Sequence, residues 1–478
     1  MLSALLRKYS QVFQSAWLGT SPREVYAQRR RVLLDNLSSV CVFAGVERIP
    51  GSEESWSYNY DRHIQDPAFL YLTGINQPGC LLVLDPLAPK GSAHEILFLP
   101  PKRSEREFWD GAMLGVPKDD DAVVLQEMRD LTGFSDIRSA KDFHAWIRDR
   151  VTHLRRNHLF AYWHEYVDAQ SQELRQGQND HNWELRVRLQ KLLKQNAPQV
   201  QLRTVAPLHM HHRIPLDAKR VHMARTAQTW TRDAFIETLQ ELPKLRNERD
   251  VRLLLEYKLQ RQSDDGLAFP TIVASGDNAC TLHYVKDDEP LQPGRLLLLD
   301  FGVRCGSLCS DISRTIPQGG RFNPLQRLLY QIVLDTQKYH QAAVKPGKTL
   351  RELNRAAWEH LELLLTTRFL SKGGHMRRQY PLRPESKGPH GISHLIGEQV
   401  HEGDAFRVYQ DQPLRPGMMI SNEPGLYGFF QAEFEGKVYA ETIGIRIEDD
   451  LLVTSRGCSN LSAQIPKEVE DLELILTH

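Results

Sequence analysis

The chain has 478 residues, 25% of them charged, and its 60 basic and 60 acidic side chains cancel to a formal net charge of zero. That length accommodates two or three domains with a large core, and the balance gives no electrostatic footprint for nucleic acid or an anionic membrane surface. No apolar run approaches the roughly 18 residues of a membrane-spanning helix, and the six cysteines, dispersed without a CxxC pair, indicate reduced thiols and not a zinc knuckle or disulfide framework.

The opening MLSALLRKYSQVFQSAWLGTSPR has no acid before Glu24. It suits a mitochondrial transit peptide and equally an ordinary amphipathic first helix. Residues 1–19 are therefore set apart as an N-terminal extension, and the expected compartment is the cytoplasm, with the mitochondrial matrix as alternative. From 20 to 205 the runs VCVFAG (40–45), CLLVLDP (80–86) and EILFLP (95–100) alternate with charged helical patterns such as NWELRVRLQKLLKQ (182–195). Strands alternating with helices predict an α/β N-terminal domain. The stretch NAPQVQLRTVAPLHMHHRIP (196–215) carries prolines and little periodicity, so 206–217 reads as a linker. Its HMHHR has no paired acids and is not taken as a metal site. Beyond it come a long helical region (218–262), strand-like runs TIVASG, RLLLLDFG and DISRTI, a helical stretch (324–370) and further strands. That segregation predicts an α+β domain over 218–478.

The segment LLLLDFGVRCGSLCSDISRTIP (296–317) carries two carboxylates in apolar surroundings, Asp300 and Asp311. A hairpin turning at Cys305-Gly306 would put them directly opposite each other, with Cβ atoms about 5 Å apart. Such a pair shares a proton or a cation, unless the turn is misplaced and one aspartate is solvated. Further along, PHGISHLIGEQVHEGD supplies His390, His394 and His401, NEPGLYG places Glu423 before a Pro-Gly turn, and LHY holds His283. GIRIEDDLLVT alternates as a strand, with Ile445 and Ile447 on one face and Arg446 and Glu448 on the other.

In order these give a series Asp, Asp, His, Glu, Glu, whose carboxylates are Asp300, Asp311, Glu423 and Glu448 and whose imidazole comes from the HGISH–VHEGD stretch. Four carboxylates and an imidazole carry about four negative charges, the number that two divalent cations balance. Oxygen-dominated ligation favours Mn²⁺, and one imidazole is also compatible with Co²⁺ or Zn²⁺.

The motifs LHY, LDFG…SDISRTIP, HGISH, VHEGD, NEPGLY and GIRIEDD resemble, in order, those of the pita-bread (creatinase/aminopeptidase-like) metallopeptidases, most closely aminopeptidase P. DPAFLYLTGINQPGCLLVLDP (66–86) and REFWDGAMLG (106–115) resemble that family's N-terminal domain, so the likeness covers roughly residues 20–470. The resemblance implies a pita-bread catalytic domain holding two cations, with Asp300 chelating one, Asp311 and Glu448 bridging, and His394 and Glu423 completing the second. It further implies Glu423 as general base, His283, His390 and His401 as substrate-binding or oxyanion-stabilising histidines, Arg446 beside the site, and Trp109 and Tyr427 at the substrate pocket. The activity implied is hydrolysis of the bond between an N-terminal residue and a following proline, by attack of a metal-bridged hydroxide. The substrates implied are proline-containing peptides and the assembly a homodimer or homotetramer. Prolidase, restricted to Xaa-Pro dipeptides, is the enzymatic alternative, and a non-catalytic pita-bread binding protein the other. Two departures from the family pattern concern substrate length more than the metal ligands: Glu402 follows His401, and Gln410 stands where an arginine is expected, with Arg407 nearby.

Overall fold

The computed structural model describes residues 2–13, 22–45, 65–119, 121–154, 160–163, 181–263, 265–380, 388–402 and 409–477. The chain divides into two compact units, Met1–Arg213 and Ile214–His478. No helix among the described residues is long and apolar enough to cross a membrane.

In the first unit, β1 (Cys41–Ala44), β2 (Leu81–Leu84), β3 (Glu95–Leu99), β4 (Asp136–Ser139), β5 (Phe160–Trp163) and β6 (Gln201–Thr204) form one mixed sheet in the order β4-β3-β2-β1-β5-β6. The central strands are apolar at every position because both faces are covered. Phe43, Leu82, Leu84, Leu97 and Leu99 pack into one core, and Val42, Ala44, Val83, Ile96 and Phe98 into the other.

Two boundaries differ from those expected. Within the N-terminal extension, Leu2–Lys8 is helical and Tyr9, Val12 and Phe13 are buried in the first unit's core. Their i, i+3, i+4 spacing is that of one helix-like face, which explains why this stretch packs instead of standing off. The expected linker is helical over Ala206–Arg213, with Ala206, His209, Met210 and Arg213 buried, and it lies within the first unit. Pro207 sits at the start of that helix, where a missing N–H costs nothing.

In the second unit the helical region 218–262 is two helices, Ala218–Glu241 and Glu248–Gln260, parted at Pro243, with the Asn247 side chain capping the second. The stretch 324–370 is likewise two, Pro324–Ala343 and Leu350–Arg368, separated by Lys345-Pro346-Gly347 and each begun by a capping box. Three short sheets accompany them. β7 (Ile272–Ser275), β8 (Leu296–Phe301) and β11 (Ile312–Pro317) form one, with the two-residue ribbons β9 (Arg304–Cys305) and β10 (Leu308–Cys309) extending the β8–β11 hairpin. β12 (His375–Arg378), β14 (Gly425–Phe434) and β15 (Lys437–Arg446) form the second. β13 (Met419–Asn422), β16 (Asp449–Val453) and β17 (Cys458–Asn460) form the third.

The hairpin turns one residue later than expected. Cys305 pairs with Leu308, and the turn is Gly306-Ser307, with φ of 54° and 83°. Positive φ at both central residues matches the right-handed twist of the flanking strands, and serine adopts it here. Asp300 therefore faces Ser313, not Asp311. Asp311, two residues before Ser313, is its diagonal neighbour on the same face, a placement that spans about 7–8 Å. Gly302 makes the approach possible, because a Cβ there would drive into the Ser310 carbonyl oxygen. Gly302→Ala is expected to cost about 1–3 kcal/mol through overpacking, read as a lower unfolding midpoint in denaturant.

Candidate metal centre

Four chain segments bring the ligand atoms together. The hairpin supplies Asp300 from the end of β8 and Asp311 from just before β11. The strand expected over GIRIEDD is two strands, β15 ending at Arg446 and β16 starting at Asp449. Glu448 sits in the break, where its N–H donates to the Ser313 carbonyl at 3.0 Å. Alternation then decides little, because Ile445, Arg446, Ile447 and Glu448 are all buried.

The HGISH segment lies extended beside β13. The Glu423 N–H donates to Ile392 O at 2.9 Å, the Ser421 N–H to His394 O at 2.9 Å and the Ile396 N–H to Met419 O at 3.0 Å. This pairing carries His394 to Glu423, with His394 Nε2 at 3.3 Å from Glu423 Oε1 and 3.4 Å from Asp311 Oδ2. His394 Nδ1 faces the Leu395 carbonyl at 3.3 Å, which leaves Nε2 for the carboxylates.

Among the described residues three sets of side chains could each hold a cation, with ligand atoms within 4.8 Å of one another: Asp300-Asp311-Glu448, His394-Glu423-Glu448 and Asp311-His394-His401. They overlap into one cluster containing all five expected ligands. Two oxygens in it, Asp300 Oδ1 and Glu448 Oε1, are buried without a hydrogen-bond partner. A buried carboxylate oxygen left bare is costly, and an oxygen-rich divalent site satisfies both. The donor set fits such cations.

Electrostatics agree. Burial pushes the Asp311 carboxyl up to about 6, against its His394 hydrogen bond and with repulsion from Asp300. Burial and the charges of Asp311, Glu423 and Asp300 hold Glu448 well above the usual carboxylate range. Burial also raises Asp300, opposed by Arg446. For His394, burial would release the proton, but bonds to Asp311 and Glu423 win and raise it to about 10. Burial likewise opposes ionisation of Glu423, yet His394, His390 and Arg446 hold it down at about 2. Carboxylates crowded this closely take up positive charge, as protons or as cations.

The outer groups lie close by. Arg446 donates through Nη2 to Asp300 Oδ2, through Nε to Ser313 Oγ at 2.8 Å and through Nη1 to the Tyr427 hydroxyl at 3.3 Å. That hydroxyl is 3.1 Å from His390 Nε2, while His390 Nδ1 is 2.8 Å from the Gly391 carbonyl. His390 Nδ1 is also 3.7 Å from Glu423 Oε2. The His401 ring packs edge-on to His394 at 4.3 Å between centroids, and burial with the His394 charge lowers its pKa to about 4. His283 is solvent-exposed and acts electrostatically on His401.

Trp109 belongs to the first unit, where it is 72% exposed and packs edge-on to Phe108. Arg407 lies outside the described residues. Two residues that the sequence reading passed over prove structural here. Ser313 Oγ donates to Glu448 Oε2 at 2.8 Å while accepting from Arg446, and Asp450 accepts the Asp311 N–H at 3.0 Å. The signal for Ser313 was its place two residues after Asp311, on the same strand face.

Comparison with known proteins places these features. Residues 222–455 match Metallopeptidase family M24, and residues 26–153 match the aminopeptidase P N-terminal domain. Over 417 residues the chain is 30% identical to the rat (Rattus norvegicus) protein named Xaa-Pro aminopeptidase 3, covering 86% of this chain and 76% of that one. It is 26% identical over 469 residues to the Haemophilus influenzae Xaa-Pro aminopeptidase, covering 96% and 99%. Among solved structures, a putative aminopeptidase P from Bacillus anthracis superposes with a TM-score of 0.75 at 26% identity, covering 95% of this chain and 98% of that one.

Proposed function

Because this chain belongs to metallopeptidase family M24, in its aminopeptidase P branch, we propose that it removes the N-terminal residue from peptides whose second residue is proline. The observation that carries this reading is the convergence of Asp300, Asp311, His394, Glu423 and Glu448, two of them with bare buried oxygens, beside the Arg446–Tyr427–His390 chain. We assign two divalent cations to the five ligands, with Mn²⁺ favoured by the oxygen-rich donor set. Cations there would supply Lewis-acid polarisation of the scissile carbonyl and acidify a water for attack.

The protein's own groups do the rest. Glu423, ionised at neutral pH, accepts the proton that the attacking water must lose. Arg446 fixes Asp300 through one oxygen and leaves the other, Oδ1, turned to the cage. Tyr427, anchored by Arg446, sets the orientation of the His390 ring, and His390, His401 and His283 oppose the negative charge that develops on the carbonyl oxygen. The Xaa-Pro bond is a tertiary amide without an N–H. A site whose residues would hold cations and whose imidazoles would face the carbonyl, and which asks for no N–H donor, suits that bond.

One assay tests the reading: turnover of an Xaa-Pro dipeptide, an Xaa-Pro-Xaa tripeptide and a longer Xaa-Pro peptide, with Mn²⁺ and after chelation. We expect cleavage of the tripeptide and longer peptide, lost on chelation and restored by Mn²⁺. Cleavage of the dipeptide alone would make the chain a prolidase, and turnover indifferent to metal would overturn the metallopeptidase mechanism.

A further inference from the structure

Glu248 begins the helix Glu248–Gln260 and is completely buried, yet it makes no ion pair among the described residues. Its two oxygens instead accept four hydrogen bonds. Oε1 takes the Ser275 N–H at 2.7 Å and Asn278 Nδ2 at 2.9 Å. Oε2 takes the Tyr284 hydroxyl at 2.8 Å and the Glu289 N–H at 3.0 Å. The Glu248 N–H returns a bond to the Glu289 carbonyl at 3.0 Å. Four donors saturate a carboxylate, and the start of a helix is where a buried negative charge is best tolerated.

The four donors come from the two ends of one loop. Ser275 and Asn278 are at its entry, Tyr284 and Glu289 at its exit, and His283 lies between them next to Tyr284. Tyr284 is buried and its hydroxyl also reaches Asp288 at 3.0 Å. Asp287, held at a φ of 53°, is tied to Arg252 of the same helix at 2.5 Å. The loop is thus closed onto that helix at both ends and carries the exposed His283, one of the groups that act electrostatically on His401.

We propose that Glu248 is the positioning residue for His283, acting at a distance from the ligand cage by fixing the 275–289 loop. The proposal rests on the Xaa-Pro peptidase reading of the site. Glu248→Gln keeps the shape but turns an NH₂ group toward two donors, so the loop loosens while the cage, built from other segments, stays intact.

The test compares Glu248→Gln, His283→Ala and the double variant. Glu248→Gln is expected to lower kcat/KM on an Xaa-Pro tripeptide about 10- to 100-fold, the range of a lost charged hydrogen bond, with cations per chain unchanged. In the His283→Ala background the same substitution should cost nothing further, because it acts through a side chain already removed. Additive losses, or a wild-type rate in Glu248→Gln, overturn the proposal. Hydrogen exchange gives a readout independent of turnover: amides of 276–289 should lose protection in Glu248→Gln while those of 296–317 keep it. Unchanged protection in 276–289 overturns the proposal as well. Should Glu248→Gln fail to fold, Tyr284→Phe removes a single donor and should show the same pattern at smaller amplitude. A wild-type chain inactive on every Xaa-Pro peptide would defeat the functional reading alone, and the exchange result would still decide the role of Glu248.

Discussion

Asp311→Ala is expected to strip at least one divalent cation from each chain and to lower tripeptide turnover by on the order of 10³-fold or more, since metal activation contributes several kcal/mol to the transition state. Asp311, like His394 and Glu448, is shared between candidate ligand sets. It belongs to two of the three candidate ligand sets, one with Asp300 and Glu448 and the other with His394 and His401. Its side chain is 3.4 Å from His394 Nε2, and its backbone N–H is fixed by Asp450 at 3.0 Å. No neighbouring carboxylate can swing into its place, because Asp300 is held by Arg446 and Glu448 by Ser313. Metal analysis of the purified variant, alongside its activity, checks this. Two cations retained per chain would show that the bridge has been assigned to the wrong residue.

Arg446→Met is expected to destabilise the cation-free protein by about 3–5 kcal/mol, the cost of leaving one partner of a buried pair alone, and the Mn²⁺-loaded protein by much less. Arg446 is 4% exposed and serves Asp300, Ser313 and Tyr427 at once. Without it Asp300 keeps its place but loses the positive charge that opposes the effect of burial on its carboxyl. Cations bound in the cage supply that charge themselves, and their binding to the folded state alone adds stability by mass action. Thermal unfolding midpoints of wild type and variant, each with chelator and with Mn²⁺, give the comparison. Equal losses under the two conditions would mean that Arg446 is a packing element and not the electrostatic partner of the ligand Asp300.

The identities of the ligands were open to inspection in the sequence, but their contacts were not. Asp300 and Asp311 announce themselves as charges in an apolar hairpin, and strand alternation correctly puts them on one face. Their register was missed because it depends on a serine, Ser307, adopting positive φ, which composition does not advertise. The helix breaks at Pro243 and at Lys345-Pro346-Gly347 were in plain view and deserved more weight than the continuous helical periodicity around them. The partnership of His394 with Glu423 came only from the family resemblance and not from the residues themselves, since it depends on the HGISH segment lying along β13, a long-range contact with no local signature. For the same reason Glu248 gave no sign of itself. An acid at the start of a charged helix looks solvated until the loop that covers it is placed.

The hairpin reaches Glu448 through Ser313, whose hydroxyl and carbonyl hold it, and through Arg314, which donates to its carbonyl, while β16 begins immediately after that glutamate. On the proposed ligand assignment, Asp300 and Glu448 mark two distant points of one polypeptide that must be synthesised, folded and docked before both could hold metal. During translation the hairpin emerges first and its aspartates wait with an incomplete donor set. Full cation loading of the proposed cage would then be a record that nearly the entire catalytic unit has been made and has closed on itself, linking the start of the enzyme's working life to the end of its assembly.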